Sequence, residues 1–356
     1  MSRAGNNGSK SVLKRLPMAL VSLVLVAYVI YSSDWSAVAE KLQNIQMFWV
    51  VLLLLSAPAL VAASVWKWSR LLKVYGCEVS FGRLFAMYVA GQFYNNLLPT
   101  SSGGDVVRAE MLRRRCGSGH AAYGSIVAER FTGLAVLIVL AVLALIEAPA
   151  IWPHVELVLG VAAGLAFATA VMLVVLSRRI TRLLDRRLGN IGPARKALKK
   201  VHDFQDSLWE YRKYPRELWI AIGFSGLFYA LAIAGTVIAA ESVGQHPNWW
   251  AVSVCVPLVL IVTLLPISLN GIGLWEFVFA TSFAAMGMTP ELGLTVALLL
   301  RARDLSWSVL GFALVTLGGL ASRASIAEAA QGRASAPRPV VSAPQSLRAV
   351  SPETRG

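Results

Sequence analysis

Apolar residues run along the chain in blocks of roughly 20, the length that crosses a bilayer as a helix. They are Leu16 to Ser33, Met47 to Trp66, about Ser118 to Glu147, about His154 to Ser177, about Glu217 to Ala240 and about Glu291 to Leu320. Two further blocks, Leu84 to Pro99 and Trp249 to Pro266, are short or polar at one end, and each runs into Pro, Ser and Gly rather than into a charged loop. The pattern predicts an all-α polytopic membrane protein with about six full crossings and two re-entrant broken-helix hairpins. The first block follows Lys10, Lys14 and Arg15, and Ala37-Val38-Ala39 has the spacing of a signal-peptidase site. At about 18 residues the block exceeds a usual signal core, so an uncleaved first helix is preferred to a cleaved leader.

Composition agrees with this pattern. Of 356 residues, 56% are hydrophobic and 15% charged, and the mean hydropathy is +0.62, far above what one soluble core requires. The net charge of +14 bears on orientation rather than on nucleic acid, because Lys and Arg in short loops stay on the cytoplasmic side. Lys10, Lys14 and Arg15 put the N-terminus inside, and Lys67, Arg70, Lys73 and Arg83 do the same for the second loop. Arg108 and Arg113 to Arg115 are inside as well, so the stretch between Arg83 and Arg108 enters from the cytoplasm and returns to it.

The loop from Arg178 to Arg216 is the most basic and carries "RRITRLLDRRL" and "ARKALKKVHDF", whose apolar positions recur at helical spacing. Helices on an anionic membrane surface and a solvated helical loop fit it equally. The expected organisation is a basic cytoplasmic N-terminus at 1–15, a transmembrane region at 16–321 with the basic cytoplasmic loop at 178–216, and a disordered cytoplasmic tail at 322–356. Cys77, Cys116 and Cys255 are far apart, with no CxxC and no even set suited to a disulfide framework. His120, His154, His202 and His246 are scattered, so no metal or other cofactor is expected.

The two irregular stretches match one another. "LLPTSSGGDVVRAEMLR" aligns with "LLPISLNGIGLWEFVFA" when Pro99 is set on Pro266, which pairs Leu97 with Leu264, Leu98 with Leu265, Ser101 with Ser268 and Gly104 with Gly271. Each copy is followed by an apolar helix interrupted by charge, "IVAERFTGL" and "LLLRARDLSWS". By loop charge the first unit enters from the cytoplasm and the second is approached from the outside. That is the inverted repeat with broken helices by which many transport folds place a site near the midplane. Two independent Pro/Gly breaks in one bundle are the alternative.

Irregular backbone at membrane depth must be buried in protein or line a wet cavity. Asn95, Asn96, Pro99, Ser101, Gly103, Gly104 and Asp105 form such a stretch, with a helix start whose free N–H groups suit an anionic head group. Ser268, Asn270, Gly271 and Gly273 are their counterparts. Glu129 and Arg130 fall roughly 15 Å into their helix, where a charge costs about 2.5–3.5 kcal/mol and normally has a partner or a function. Arg301, Arg303 and Asp304 raise the same question in the last helix. Asp105 and Arg108, and Arg301 and Asp304, are spaced to pair along one face; Glu129 or Arg130 should reach across to Glu276, Asp304 or Asp105. Salt bridges that lock the bundle and an Arg-lined path for a phosphate-bearing head group are both consistent with these residues. Gly160 and Gly164, four apart, fit helix packing.

At "GQFYNNLLPTSSGGDVVRAEMLRR", "SIVAERFTGL" and "LPISLNGIGLWEF" the chain resembles the lysylphosphatidylglycerol synthase transmembrane region, a flippase-like inner-membrane family, over about residues 12 to 320. The resemblance implies a bacterial inner-membrane protein that moves a phospholipid or lipid-linked head group between leaflets; in fused members a soluble aminoacyl-transfer domain follows the membrane part, whereas about 35 low-complexity residues follow it here, so enzymatic activity is not expected. The expected partners are a phospholipid or other anionic lipid and the membrane itself, with a separate lipid-modifying enzyme and a second copy of the chain as further candidates; nucleic acid is not expected. An integral-membrane enzyme acting on a lipid head group through Asp105 and Glu129 is the alternative, and a scaffold that holds envelope-assembly partners by its basic loop is a third reading.

Overall fold

A computed structural model describes residues 6–97, 103–188 and 192–334. Among these the chain is helical throughout, with one short 3-10 turn at Pro149–Ile151 and no strand. In chain order the helices are α1 (Asn6–Ser32), α2 (Trp35–Gln43), α3 (Met47–Lys73), α4 (Phe81–Leu97), α5 (Gly103–Cys116), α6 (Gly119–Glu147), α7 (Val155–Leu176), α8 (Arg178–Leu188), α9 (Gly192–Tyr211), α10 (Pro215–Glu241), α11 (Trp249–Thr263), α12 (Leu274–Ala285) and α13 (Pro290–Ala334). Residues up to Ala313 form one compact unit, and those from Leu314 a second. α13 thus continues as helix into the segment whose composition suggests a tail, and residues 335–356 lie outside the described residues.

Four helices, α3, α6, α7 and α10, are long and apolar enough to cross a membrane. The pair α1 and α2 makes a fifth if it is one span; it bends by 79°, where Asp34 accepts hydrogen bonds from the Ser36 and Ala37 amides and starts the second helix. Large apolar side chains such as Leu23, Tyr31, Leu159 and Trp219 stand more than half exposed, which suits surfaces that face lipid. The interior is apolar too. Its largest cluster joins α6, α7, α10, α11 and α12 around Leu258, Ile261, Phe279 and Phe283. At 15 residues α11 spans only about 22 Å, yet it is buried along most of its length. Gly164 permits its approach to α7, since a Cβ there would press on the Ile261 carbonyl.

The two Pro/Gly stretches break helices, as the pattern predicts. After the first break α5 folds back along α4. Gly104 makes this contact, because a Cβ on it would overlap the Gly91 carbonyl. The break itself, including Pro99 and Ser101, lies outside the described residues. The second break runs from the end of α11 to Gly273 through a left-handed stretch, with positive φ at Asn270, Gly271 and Gly273. α1 covers it: Ser22 Oγ accepts the Leu269 N–H at 2.8 Å, and Gly273 sits against the α1 backbone with no room for a side chain.

Two expectations from the sequence are corrected here. Cys77 and Cys116 are joined in a disulfide, with Cα atoms 5.9 Å apart across 39 residues of chain. α5 carries Cys116 back beside the α3–α4 connection, a proximity that linear spacing does not show. Lys67 lies not in a loop but inside α3, which continues to Lys73 because Trp68, Leu71 and Leu72 remain fully packed. In the purified native protein, maleimide should label neither Cys77 nor Cys116 before reduction, and should reach buried Cys255 only after denaturation; mass spectrometry of the labelled peptides checks this.

Candidate functional site

The interior charges are gathered by the short helix that follows each break. In the first unit Arg108 is the hub. Its guanidinium donates to Asp105 Oδ1 at 2.9 Å and to Glu129 Oε2 at 3.1 Å, so it joins its own helix to α6. It lies over the rings of Tyr88, 4.3 Å from the centroid, and Trp68, 5.1 Å away, contacts that favour a cation. Tyr88 donates its hydroxyl hydrogen to the other Glu129 oxygen at 3.2 Å. Arg130 reaches back to Asp105 in a bidentate pair at 2.8 and 3.0 Å. Glu129 and Arg130 diverge around α6 as the helical spacing requires, and both find partners on α5. Across the break, Asn95 Oδ1 accepts the Gly104 N–H at 2.7 Å and caps α5.

The second unit repeats this arrangement in reduced form. Arg301 Nε stands 2.6 Å from Glu276 Oε1, while Glu276 Oε2 accepts the Gly273 N–H at 2.9 Å. Glu276 is the third residue of α12 and Arg301 the twelfth of α13, just as Asp105 is third in α5 and Arg130 twelfth in α6. Both pairs span the same separation, |i−j|=25. In this register the partners of Arg108 and Glu129 are Phe279 and Leu300, both buried. A buried ion pair in one unit is an apolar pair in the other. The expected pairing of Arg301 with Asp304 is not made: Arg301 turns to Glu276, and Asp304 accepts from Arg303 at 2.8 and 2.9 Å, whose remaining nitrogen donates to Ser56 Oγ at 3.1 Å.

No ion pair joins the two clusters among the described residues, but cavities do. A central space of about 320 Å³ has Asp105, Arg108 and Arg130 on one side and Arg303, Asp304 and Trp307 on the other. Asn96, Trp275 and Asp304 also line a second space of about 610 Å³, which extends along the second break past Ser268, Asn270, Gly271, Glu276 and Arg301. Gly103 lies at the start of α5, and Gly273 packs on α1 instead of lining a space. Arg130 borders three cavities, including one of about 770 Å³ between α5, α6 and α9. Its side chain keeps 57% of its surface open, against 2% for Arg108.

Sequence reading missed Lys67, Trp68, Tyr88 and Ser225. Lys67 Nζ donates to the Glu129 carbonyl at 3.0 Å and to Ser225 Oγ at 3.3 Å. A signal existed in "SVWKWSRLL": Ser64, Lys67, Trp68 and Leu71 fall on one helical face, which marks a buried stripe rather than a loop.

The fold and the site define a multi-pass helical membrane protein whose interior polar groups gather at two broken helices. The chain belongs to the family of the lysylphosphatidylglycerol synthase TM region, which it matches over residues 18–313. It is 21% identical over 307 residues to a UPF0104 membrane protein of Pyrococcus horikoshii, covering 81% of this chain and 92% of that one. Two UPF0104 membrane proteins of Methanothermobacter thermautotrophicus are similar at 21% and 24% identity, over 77% and 76% of this chain and 86% and 85% of theirs. No solved structure matches.

Removing one partner of a buried pair strands the other charge, at a cost of about 3–5 kcal/mol, whereas an apolar replacement of both is often neutral. Glu129→Leu should therefore destabilise by about 3–5 kcal/mol, and Arg108→Phe added to it, copying the second unit, should recover much of that loss. Chemical unfolding in detergent measures both.

Proposed function

We propose that this protein moves a phospholipid or other lipid-linked head group between leaflets of the bacterial inner membrane. The observation that carries the reading is Arg130: an arginine deep in a membrane bundle, held by Asp105, yet open to three adjoining cavities. An arginine needed only to lock helices would be covered as Arg108 is. An open guanidinium, fixed in place by one carboxylate and with donor capacity left, suits a passing phosphate. The apolar walls supplied by Phe228 and Leu260 suit the lipid stem. Basic loops hold the α4–α5 break toward the cytoplasm in this reading. In the same reading the amphipathic α8 and α9, tied by Arg178–Asp206 and His202–Asp185, lie along the cytoplasmic surface, and α9 lines the cavity of about 770 Å³.

Vesicles containing the purified chain should exchange a fluorescent anionic phospholipid between leaflets, as read by dithionite quenching. Arg130→Ala should slow exchange at least about tenfold, the scale of one lost charge-assisted contact. Exchange no faster than in protein-free vesicles, across a panel of lipids, would overturn the reading.

A further inference from the structure

The charges gathered in the first unit do not balance. Asp105 and Glu129 are the two carboxylates; Arg108 and Arg130 answer them. Lys67 is left over. It is only 7% exposed, its ammonium donates to a carbonyl and a hydroxyl, and among the described residues no carboxylate lies within ion-pair distance of it. The second unit does not compensate, because Glu276 with Arg301 and Asp304 with Arg303 are neutral in sum. Lys67 also lines a cavity of about 230 Å³ with Tyr88, Glu129, Arg130 and Tyr229, and Arg130 borders the central space as well. A buried cation normally has an anionic partner. Here that partner has space to come from outside the chain.

We propose that Lys67 is the specificity-determining cation of this site, and that its charge selects lipids whose head group carries a single net negative charge on a phosphodiester. This rests on the transport reading above. One negative charge brings the interior to neutrality; an uncharged or zwitterionic lipid leaves Lys67 unanswered, and a diphosphate-linked lipid overshoots. Gly133 lies beside the Lys67 ammonium, where a Cβ would stand 3.6 Å away in ordinary contact. Lys67 acts beside Arg130: Arg130 grips the phosphate, and Lys67 sets how much charge the interior accepts.

The test is binding of full-length protein in detergent to phosphatidylglycerol, phosphatidylcholine and a polyprenyl diphosphate, read by native mass spectrometry and by quenching of tryptophan. The native chain should bind phosphatidylglycerol about tenfold or more tighter than either of the others. Lys67→Gln, which keeps a donor for Ser225, and Lys67→Met should each lose that preference while eluting as native monodisperse protein. Glu129→Gln added to Lys67→Gln restores one net positive charge and should restore part of the preference, which a purely structural role for Lys67 would not do. A native chain without preference, or a folded Lys67 variant that keeps it, overturns the inference. Leaflet exchange that ignores head-group charge would sink the inference and leave the transport reading standing. Selective binding with no exchange would uphold the anion site and remove transport.

Discussion

Arg108 is the constraint on which the first half of the molecule depends. A guanidinium out of water has to have its donors met, and Arg108 meets them with Asp105 on its own helix and Glu129 on the next. To do so α5 must lie against both α4 and α6, which in turn requires Gly104 to touch Gly91 and requires α5 to run back along α4. Tyr88 and Trp68 cover the cation from the α4 and α3 sides. One side chain thus specifies the packing of four helices.

The second half shows what the same geometry looks like without that demand. The pair Glu276–Arg301 stands in the register of Asp105–Arg130, but Phe279 and Leu300 fill the positions of Arg108 and Glu129. In the second unit an apolar pair stands where the first has an ion pair, and α12 is buried without it. The asymmetry puts the unmatched charge, and the most open of the four cluster arginines, in one unit. The other contributes the longer break and the larger share of the apolar core.

Much of this was legible from residue order. Block lengths place the helices to within a few residues in most cases, because a bilayer imposes a length and the backbone must satisfy itself. The breaks are legible because Pro followed by clustered Ser and Gly interrupts an apolar run, whereas the lone Pro17, Pro58 and Pro257 are carried inside helices. The partner of Arg130 is among those the helical spacing offers, whereas that of Arg301 is not the one its own helix offers: Glu276 comes from α12, brought close by a left-handed turn. The equivalence of the two pairs is hidden in sequence because the second break is longer, so an alignment anchored on the prolines slips by one helical turn before the charged helices. Lys67 was misplaced because a charge after an apolar run looks like a membrane boundary; only the stripe of buried neighbours on α3 shows that the helix goes on. The Cys77–Cys116 bond depends on α5 turning back, which no local pattern encodes.

The seam between α1 and the second break has a consequence for how the molecule is made. Ser22 receives the Leu269 amide across |i−j|=247, and Ser56 receives Arg303 over the same span. At a synthesis rate of roughly 5–20 residues per second, the first helices wait about 12–50 s for these partners. During that interval Ser22 and Ser56 lack these partners, although the Ser56 hydroxyl still donates to the Leu53 carbonyl of its own helix. The growing chain is therefore a bundle with an unclosed side until its last helices leave the ribosome, and the insertion machinery, or lipid itself, must occupy that side in the meantime.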